Sequence, residues 1–390
     1  MRKNMLGGIV ILLLVIPGIS WLWWWGKPEQ SIRVLILDKT TPDKSYLEHL
    51  SFNWVLMHNK FTQSSGRFYQ ASSDYFGFFP IGAGNYYTRD LRRYTPPEIA
   101  ELADTLDAVF CADNYGIYST NWRDHEFYGT DTVIQVYGGL KEQEYLLFRE
   151  MMKKGKSILG EFNMFAVPTT DEVRNSSEKL LDIYWSGWSG RYFHSLDAME
   201  NAELPFWLPP LYRNLYKKAW NFSGPGIVLV NKERILVLEK GTHLNIEIPF
   251  IECDIWGQVK YNLPERVHYP YWFDITLSGD QNEVLAWYQI AVNELGDSLL
   301  RSEGIPHIFP ALIERDQDYF FLYMAGDFSD NPIGLWSAYF EGIDKISAVF
   351  YQSHRLKERN SFFWRFYRPL ITSALDRVQE RVRNDTIRKE

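Results

Sequence analysis

Residues 131–165 constrain the fold most strongly, because one helix pattern stands between two strand patterns there. An apolar run at 133–137 ends at a pair of glycines, and residues 141–154 then carry apolar side chains at helical spacing. Gly155 follows two lysines, as is typical of a helix C-terminus, and an apolar strand begins at 157–160. Strands that alternate with helices in this way predict an α/β protein with a parallel sheet.

The same alternation extends over residues 28–344. We predict an α/β domain there with a doubly wound, mostly parallel sheet of the flavodoxin type. Period-two patterns at 224–249 and 309–325 predict antiparallel hairpins added to this sheet, and 283–295 has the pattern of a helix. Two aromatic and Gly-rich segments, 72–89 and 187–192, are interpreted as loops.

The segment from Gly155 to Asn163, GKSILGEFN, resembles the strand and turn of class I glutamine amidotransferase-like domains. In that family a similar strand leads to a nucleophilic Cys at a sharp elbow. The resemblance covers residues 32–340 and implies the family's fold. Glu161, Phe162 and Asn163 occupy the elbow region here, and no Cys does. The chain therefore looks more like non-catalytic or repurposed members, such as the trehalose-utilisation type and the domain that accompanies some β-galactosidases, and glutamine hydrolysis is not expected.

An apolar run of about 21 residues, Met5 to Trp25, follows Arg2 and Lys3. This length suffices to cross a bilayer core of about 30 Å. The sequence thus predicts residues 1–27 to be a cytoplasmic stub and an uncleaved transmembrane anchor. Tryptophans at the end of the run suit the membrane interface, so we expect a single-pass cell-membrane protein with an extracytoplasmic domain.

Composition excludes some functions. The formal charge of −8 disfavours nucleic acid as a partner. Aromatic residues make up 16% of the chain, which suits either a large aromatic core or faces that stack on sugar rings. Cys111 and Cys253 allow one disulfide at most, and spacing leaves their pairing open.

The C-terminal segment, residues 345–390, is predicted to be a basic and aromatic helical tail. It carries 11 Lys and Arg against 5 Asp and Glu, with five aromatic residues between 362 and 367. Either the segment packs on the domain with a solvated basic face, or it binds a membrane surface or a partner protein.

Acidic residues follow several predicted strands. Asp38, Asp113, Glu161 and Asp327 each come within a few residues of an apolar run, as does Asp274. The carboxyl ends of parallel strands meet at one edge of a sheet, where ligands bind, so we expect these acids to converge. Each acid on its own is also a common turn or cap residue. Together they suit acid–base chemistry, and a divalent cation would suit the same cluster.

Other residues complete this candidate site. Asp38, Asp113, Glu161 and Asp327 are the catalytic candidates. The ligand-binding candidates comprise aromatic residues for stacking on sugar and polar residues that would orient it: Tyr75, Tyr115, Tyr118, Asn163, Trp188, Arg191 and Asp274. The eight His residues show no zinc-binding spacing, and neither a GxSxG elbow nor a Walker loop is present. We therefore expect no resident cofactor.

The sequence supports two hypotheses about function. The first is an anchored extracytoplasmic protein that binds an envelope or extracellular carbohydrate, with hydrolysis or modification left open. As an enzyme it would be a carboxylate-dependent hydrolase. The alternative is a non-catalytic scaffold subunit of a membrane complex for polysaccharide synthesis or export. An exposed apolar patch at 362–370 would favour the alternative.

Overall fold

The computed structural model describes residues 15–82, 85–119, 134–350 and 359–389, with no side-chain description at 348–350 and 388–389. Eighteen strands are assigned within these ranges. In chain order they are β1 Gln30–Ser31, β2 Val34–Asp38, β3 Phe61–Thr62, β4 Phe76–Gly82, β5 Asn85–Arg89, β6 Ala108–Cys111, β7 Ile117–Tyr118, β8 Gln135–Tyr137, β9 Ser157–Gly160, β10 Ile183–Phe193, β11 Gly226–Val230, β12 Ile235–Glu239, β13 Phe250–Cys253, β14 Arg266–His268, β15 Phe273–Ser278, β16 Glu283–Gln289, β17 Ile308–Asp316 and β18 Phe320–Met324.

The helices surround these strands. They are α1 at 15–25, α2 Leu47–His58, α3 Pro96–Thr105, α4 Glu142–Lys153, α5 Asp171–Leu181, α6 Leu208–Tyr216, α7 Ile255–Tyr261, α8 Glu294–Ser302, α9 Ile343–Phe350, α10 Arg359–Phe362 and α11 Arg368–Lys389. A π-helical turn, Phe363–Tyr367, joins α10 to α11.

A mixed sheet of ten strands organises the molecule, in the order β14-β13-β16-β17-β18-β9-β6-β2-β4-β5. Five neighbours, β18, β9, β6, β2 and β4, run parallel, while β5 on one side and β17, β16, β13 and β14 on the other pair antiparallel. The prediction of a doubly wound, mostly parallel sheet is therefore wrong. The helix and strand predicted at 141–160 are present as α4 and β9.

Three local predictions fail for one reason, which is that strand pairing decides the conformation. The expected helix at 283–295 is β16, which pairs with β13 and β17. The expected loop at 72–89 contains the hairpin of β4 and β5, and the Gly-rich 187–192 segment lies within β10. β10, β11, β12 and β15 form a separate four-stranded sheet, so the hairpin predicted at 224–249 does not join the main sheet.

One hydrophobic core extends from Ile32 to Val378 and includes the C-terminal segment. The aromatic residues of that segment are buried, and Trp54 of α2 contacts Phe363 and Trp364 edge-on at 5.1 and 5.2 Å between ring centroids. The exposed patch that would favour the scaffold hypothesis is thus not present at 362–367. Cys111 and Cys253 are both buried and free.

Among the residues that the structure describes, no helix has the length and apolar character needed to cross a membrane. This finding overturns the predicted transmembrane helix and the single-pass membrane location inferred from it. Residues 5–14 of the predicted span lie outside the described ranges. The described part, α1, contacts the domain: Trp24 is 4% exposed, and its Nε1 donates a hydrogen bond to His58 O at 3.0 Å.

Candidate functional site

Four predicted acids lie at the carboxyl ends of four parallel strands. Asp38 ends β2, and Asp113, Glu161 and Asp327 follow β6, β9 and β18. These strands are neighbours in the sheet. The charges of Asp327 and Asp113 both contribute to raising the pKa of Glu161, although burial is the larger cause. The structure therefore brings the four residues into one region, which we call the acidic edge.

Asp38 lies in the buried part of the acidic edge. His49 Nδ1 contacts Asp38 Oδ2, and His49 Nε2 lies 2.8 Å from Ala71 O. Both ring nitrogens thus lie next to oxygen atoms, one of a carboxylate and one of a backbone carbonyl. Neither side chain is exposed to solvent. Asp38 therefore contacts His49 inside the protein in this conformation and does not reach the surface.

Glu161 is also buried, with 1% exposure. Ser329 donates its backbone N–H to Glu161 Oε2 at 3.1 Å and its hydroxyl to the other carboxylate oxygen. Burial raises the pKa of Glu161 well above its usual value, and the bonds from Ser329 oppose this rise. Glu161 thus links β9 to the segment after β18, and ligand contact would require it to become exposed.

Asn163 connects two further acids. Its side-chain amide donates to Asp113 Oδ2 at 3.2 Å, and its backbone N–H donates to Asp274 Oδ2 at 3.0 Å. Its φ of 61° is in the left-handed region, which Asn tolerates better than most residues. Asp274 is fully buried, which raises its pKa to about 7. Asp113 is 7% exposed, and burial raises its pKa well above the usual range.

Three carboxylates lie together at the acidic edge: Glu48 and Asp330, which are partly exposed, and Asp327, which is buried. One carboxylate oxygen from each lies within 4.8 Å of the others. Glu48 begins the first turn of α2, which follows β2, and Asp330 lies three residues after Asp327. We call these three residues the carboxylate cluster.

Arg359 neutralises part of the carboxylate cluster. Its Nη2 lies 3.0 Å from both Asp327 Oδ2 and Asp330 Oδ2. Its guanidinium also stacks over Tyr271, with Cζ 3.9 Å from the ring centroid. An all-oxygen cluster suits a hard divalent cation such as Ca²⁺ or Mg²⁺. Here a guanidinium already supplies positive charge to two of the three carboxylates.

Burial and the neighbouring carboxylates raise the pKa values of Glu48 and Asp330. Burial, followed by the charges of Asp330 and Asp327, raises the pKa of Glu48 well above its usual value. Burial raises the pKa of Asp330 to about 7, with Asp327 adding to the rise and Arg359 opposing it. Closely spaced carboxyls repel one another when charged, which is a feature of acid–base sites.

The predicted aromatic ligands divide into two groups. Tyr115 and Tyr118 lie beside Asp113 with ring centroids 4.8 Å apart, and Tyr115 is 36% exposed. Tyr75 is buried against His49 at 4.7 Å, and Trp188 of β10 is 6% exposed. Only the first pair offers ring surface to a ligand at the acidic edge.

Strand pairing places Arg191 near the carboxylate cluster: its neighbour Gly190 pairs with Phe273, which in turn pairs with Gly326, the residue before Asp327. Burial has the largest effect on the pKa of Arg191 and lowers it, while the charge of Glu203 raises it. The sequence analysis missed Glu48, Asp330 and Arg359. Glu48 could have been found from the sequence, because it lies in the first turn of the helix that follows β2. Arg359 could not, because only tertiary packing brings it to the cluster.

Two surface pockets lie outside the candidate site. One of about 220 Å³ is lined by residues that include Arg33, Lys156 and Arg381, at the amino ends of the parallel strands. The other, of about 510 Å³, lies against α11 and includes Lys260 and Asp316. Neither pocket includes a residue of the acidic edge, which we prefer as the candidate site on its chemistry.

Comparisons with known proteins give limited information. No family model and no curated protein matches the chain. Among solved structures, a putative ThuA-like protein from Bacteroides uniformis is 11% identical with a TM-score of 0.37, covering 80% of this chain and 89% of that one. A cytoplasmic protein from Salmonella typhimurium is also 11% identical with a TM-score of 0.37, covering 88% of this chain and 98% of that one. Likeness at this level supports no argument about function.

Proposed function

We propose that the carboxylate cluster binds a carbohydrate and hydrolyses a glycosidic bond, with Glu48 as the general acid. The observation that carries this proposal is the close spacing of Glu48 and Asp327, whose nearest oxygens lie within 4.8 Å. Retaining glycosidases place their two carboxyl groups about 5–5.5 Å apart, and inverting ones leave a wider gap for water. The spacing here is nearer to the retaining arrangement.

The two carboxyl groups have different surroundings, as acid–base pairs require. Glu48 is partly exposed, and its carboxyl group has no hydrogen bond or ion pair with any other residue that the structure describes. Asp327 instead pairs with Arg359, whose Nη2 lies 3.0 Å from Asp327 Oδ2. Glu48 would protonate the leaving oxygen as the glycosidic bond breaks, while Asp327 stabilises the positive charge that develops on the sugar ring. A water molecule would then add to the anomeric carbon and give its proton to Glu48, which completes the hydrolysis and regenerates the acid.

The rim of the acidic edge supports a sugar ligand. Tyr115 and Tyr118 provide adjacent rings beside Asp113, and aromatic rings of this kind stack on the apolar faces of sugars. The scaffold alternative has no comparable support, because Phe363, Trp364 and Phe366 of the C-terminal segment are buried.

The test is a hydrolysis assay with a panel of oligosaccharides, read out as new reducing ends. Glu48→Gln keeps the size of the side chain but removes its proton, so activity should fall by about 10²–10⁴-fold, the usual contribution of a general acid. Glu233→Gln, at an exposed turn, is the matched control and should retain wild-type activity. EDTA should not reduce activity, because Arg359 supplies the positive charge at the cluster.

The proposal fails if no oligosaccharide is hydrolysed by the wild type. Equal rates for Glu48→Gln and the wild type would remove Glu48 from the mechanism. Circular dichroism of both variants establishes that a loss of activity reflects chemistry and not unfolding.

A further inference from the structure

Arg191 differs from Arg359 in how its guanidinium group is satisfied. Arg359 donates to the carboxylates of Asp327 and Asp330 and to the backbone oxygens of both residues. These contacts hold the segment after β18 against the Arg359 guanidinium. Within the described ranges, Arg191 of β10 forms an ion pair with a single carboxylate, that of Glu203.

The ion pair of Arg191 and Glu203 combines a mostly buried base with an exposed acid. The Arg191 side chain is 18% exposed, while that of Glu203 is 63% exposed. Arg191 Nε is buried and has no hydrogen-bond partner among the described residues. The guanidinium of Arg191 also lies over the ring of Phe193, with Cζ 5.1 Å from the ring centroid. The guanidinium is thus mostly buried, while the carboxylate that pairs with it is mostly exposed to solvent.

The charges around Arg191 act in both directions. Burial lowers the pKa of Arg191 and the charge of Arg359 lowers it further, while the charges of Glu203, Asp327 and Asp330 raise it. The ion pair with the exposed Glu203 offsets only part of the cost of burying the guanidinium charge, because solvent screens this pair. A ligand carboxylate would offset more of this cost, because the ligand would also exclude solvent from the pair. Guanidinium and carboxylate groups further match in a planar, bidentate geometry.

We propose that Arg191 binds the carboxylate of an acidic sugar, of the uronic acid class, in the place that Glu203 occupies. This inference rests on the proposed function and names its substrate class. The sugar ring would lie at the carboxylate cluster while its carboxylate replaces that of Glu203 on Arg191. Glu203 acts as an internal competitor that keeps the guanidinium paired when no ligand is bound.

Binding measurements by isothermal titration calorimetry test the inference. The probes are an oligosaccharide of galacturonic acid and the oligosaccharide of galactose with the same length and linkage. The wild type should bind the acidic probe more tightly, and this preference should shrink at high salt. Glu203→Gln removes the competitor and should raise the affinity for the acidic probe by about two- to fivefold, the worth of an exposed ion pair.

Arg191→Gln should reduce the affinity for the acidic probe by about ten- to hundredfold, because charge-assisted hydrogen bonds to the carboxylate are lost. The matched control is Glu303→Gln, which breaks the exposed ion pair of Glu303 with Arg234 elsewhere on the surface. It should leave the affinities for both probes unchanged.

The outcomes separate this inference from the proposed function. Equal affinity of the wild type for both probes, with no gain in Glu203→Gln, would overturn the role of Arg191 while leaving carbohydrate binding intact. Failure of the wild type to bind either probe, or any other oligosaccharide of the hydrolysis panel, would overturn both. Because Glu203 is mostly exposed, its variant should fold even if Arg191→Gln does not.

Discussion

Asn163 donates a hydrogen bond from its side-chain amide to Asp113 at 3.2 Å, although the two residues follow different strands of the sheet. Its backbone N–H, which donates to Asp274, is aimed by the left-handed conformation of the residue. Asn163 thus contacts two buried acids, one through its side chain and one through its backbone N–H.

This arrangement predicts an order of stability among substitutions at Asn163. Asn163→Gly keeps the left-handed conformation and loses only the bond to Asp113. Asn163→Ala loses the same bond and also forces a residue with a Cβ into the left-handed region, at a cost of about 1–2 kcal/mol. Urea denaturation should therefore rank wild type above Gly and Gly above Ala. Equal stability of the two variants would show that the conformation at 163 is not strained.

The buried carboxyls predict a specific pH dependence of stability. The pKa of Asp274 is raised from 3.8 to about 7 by burial. The unfolded chain loses this proton near its ordinary pKa, while the folded chain keeps it until about pH 7. The unfolding free energy therefore falls as the pH rises through this interval. At about 1.4 kcal/mol per pKa unit, Asp274 alone accounts for a fall of about 4 kcal/mol.

Asp274→Asn tests this dependence, because an amide of the same shape does not titrate. Its oxygen can still accept from Asn163 N–H, and its amide group can donate to the Ser189 hydroxyl. Denaturation at pH 5 and at pH 8 should show a smaller fall in stability for the variant than for the wild type. A residual fall is expected from Glu48, Asp113 and Asp330, whose pKa values are also raised. Identical profiles for variant and wild type would contradict the assignment.

Substitution of Arg359 should reduce the unfolding free energy strongly. Arg359→Gln would leave Asp327 and Asp330 without their cation, and breaking a buried ion pair from one side costs about 3–5 kcal/mol. The matched control is Arg234→Gln, whose exposed pair with Glu303 should contribute little to stability because solvent screens it. Thermal and urea unfolding measure both. Similar small losses for the two variants would mean that Arg359 is not needed to hold the carboxylate cluster.

Local sequence patterns predicted the parallel half of the sheet better than its antiparallel half. The α4 helix and the β9 strand follow from apolar spacing and a Gly at the helix end, which are properties of a few neighbouring residues. The segment of β16 has no such local signal, because it owes its strand conformation to pairing with β13 and β17. The mixed topology of the sheet therefore could not be read from local periodicity.

The same distinction applies to the candidate site. Acids that follow strands could be identified from the sequence, since strand ends are local features. The accessibility of each acid could not be predicted, because it depends on residues that are distant in the sequence. Ser329, which donates a hydrogen bond to the buried Glu161, is 168 positions away from it. The catalytic and binding roles assigned to these acids stay predictions, which the hydrolysis and binding assays will test.

The N-terminal tryptophans give the clearest contrast between predicted and observed environments. Trp23 and Trp25 are 68% and 65% exposed, whereas Trp24 is 4% exposed. Trp24 packs edge-on against Tyr339 at 4.9 Å, and Lys60 Nζ lies 4.9 Å from its ring centroid. Trp24 therefore contributes the buried aromatic contact that docks α1 on the domain, beside the hydrogen bond from the Ser20 hydroxyl to Glu341 O.

Trp24→Ala should therefore reduce the unfolding free energy by about 3–5 kcal/mol, the usual cost of removing a buried Trp side chain. Trp23→Ala is the matched control on the same helix, and its effect should stay within about 0.5 kcal/mol, as for most surface substitutions. Urea denaturation of the two variants beside the wild type measures both values. If Trp23→Ala were as destabilising as Trp24→Ala, the docking of α1 through Trp24 would be refuted.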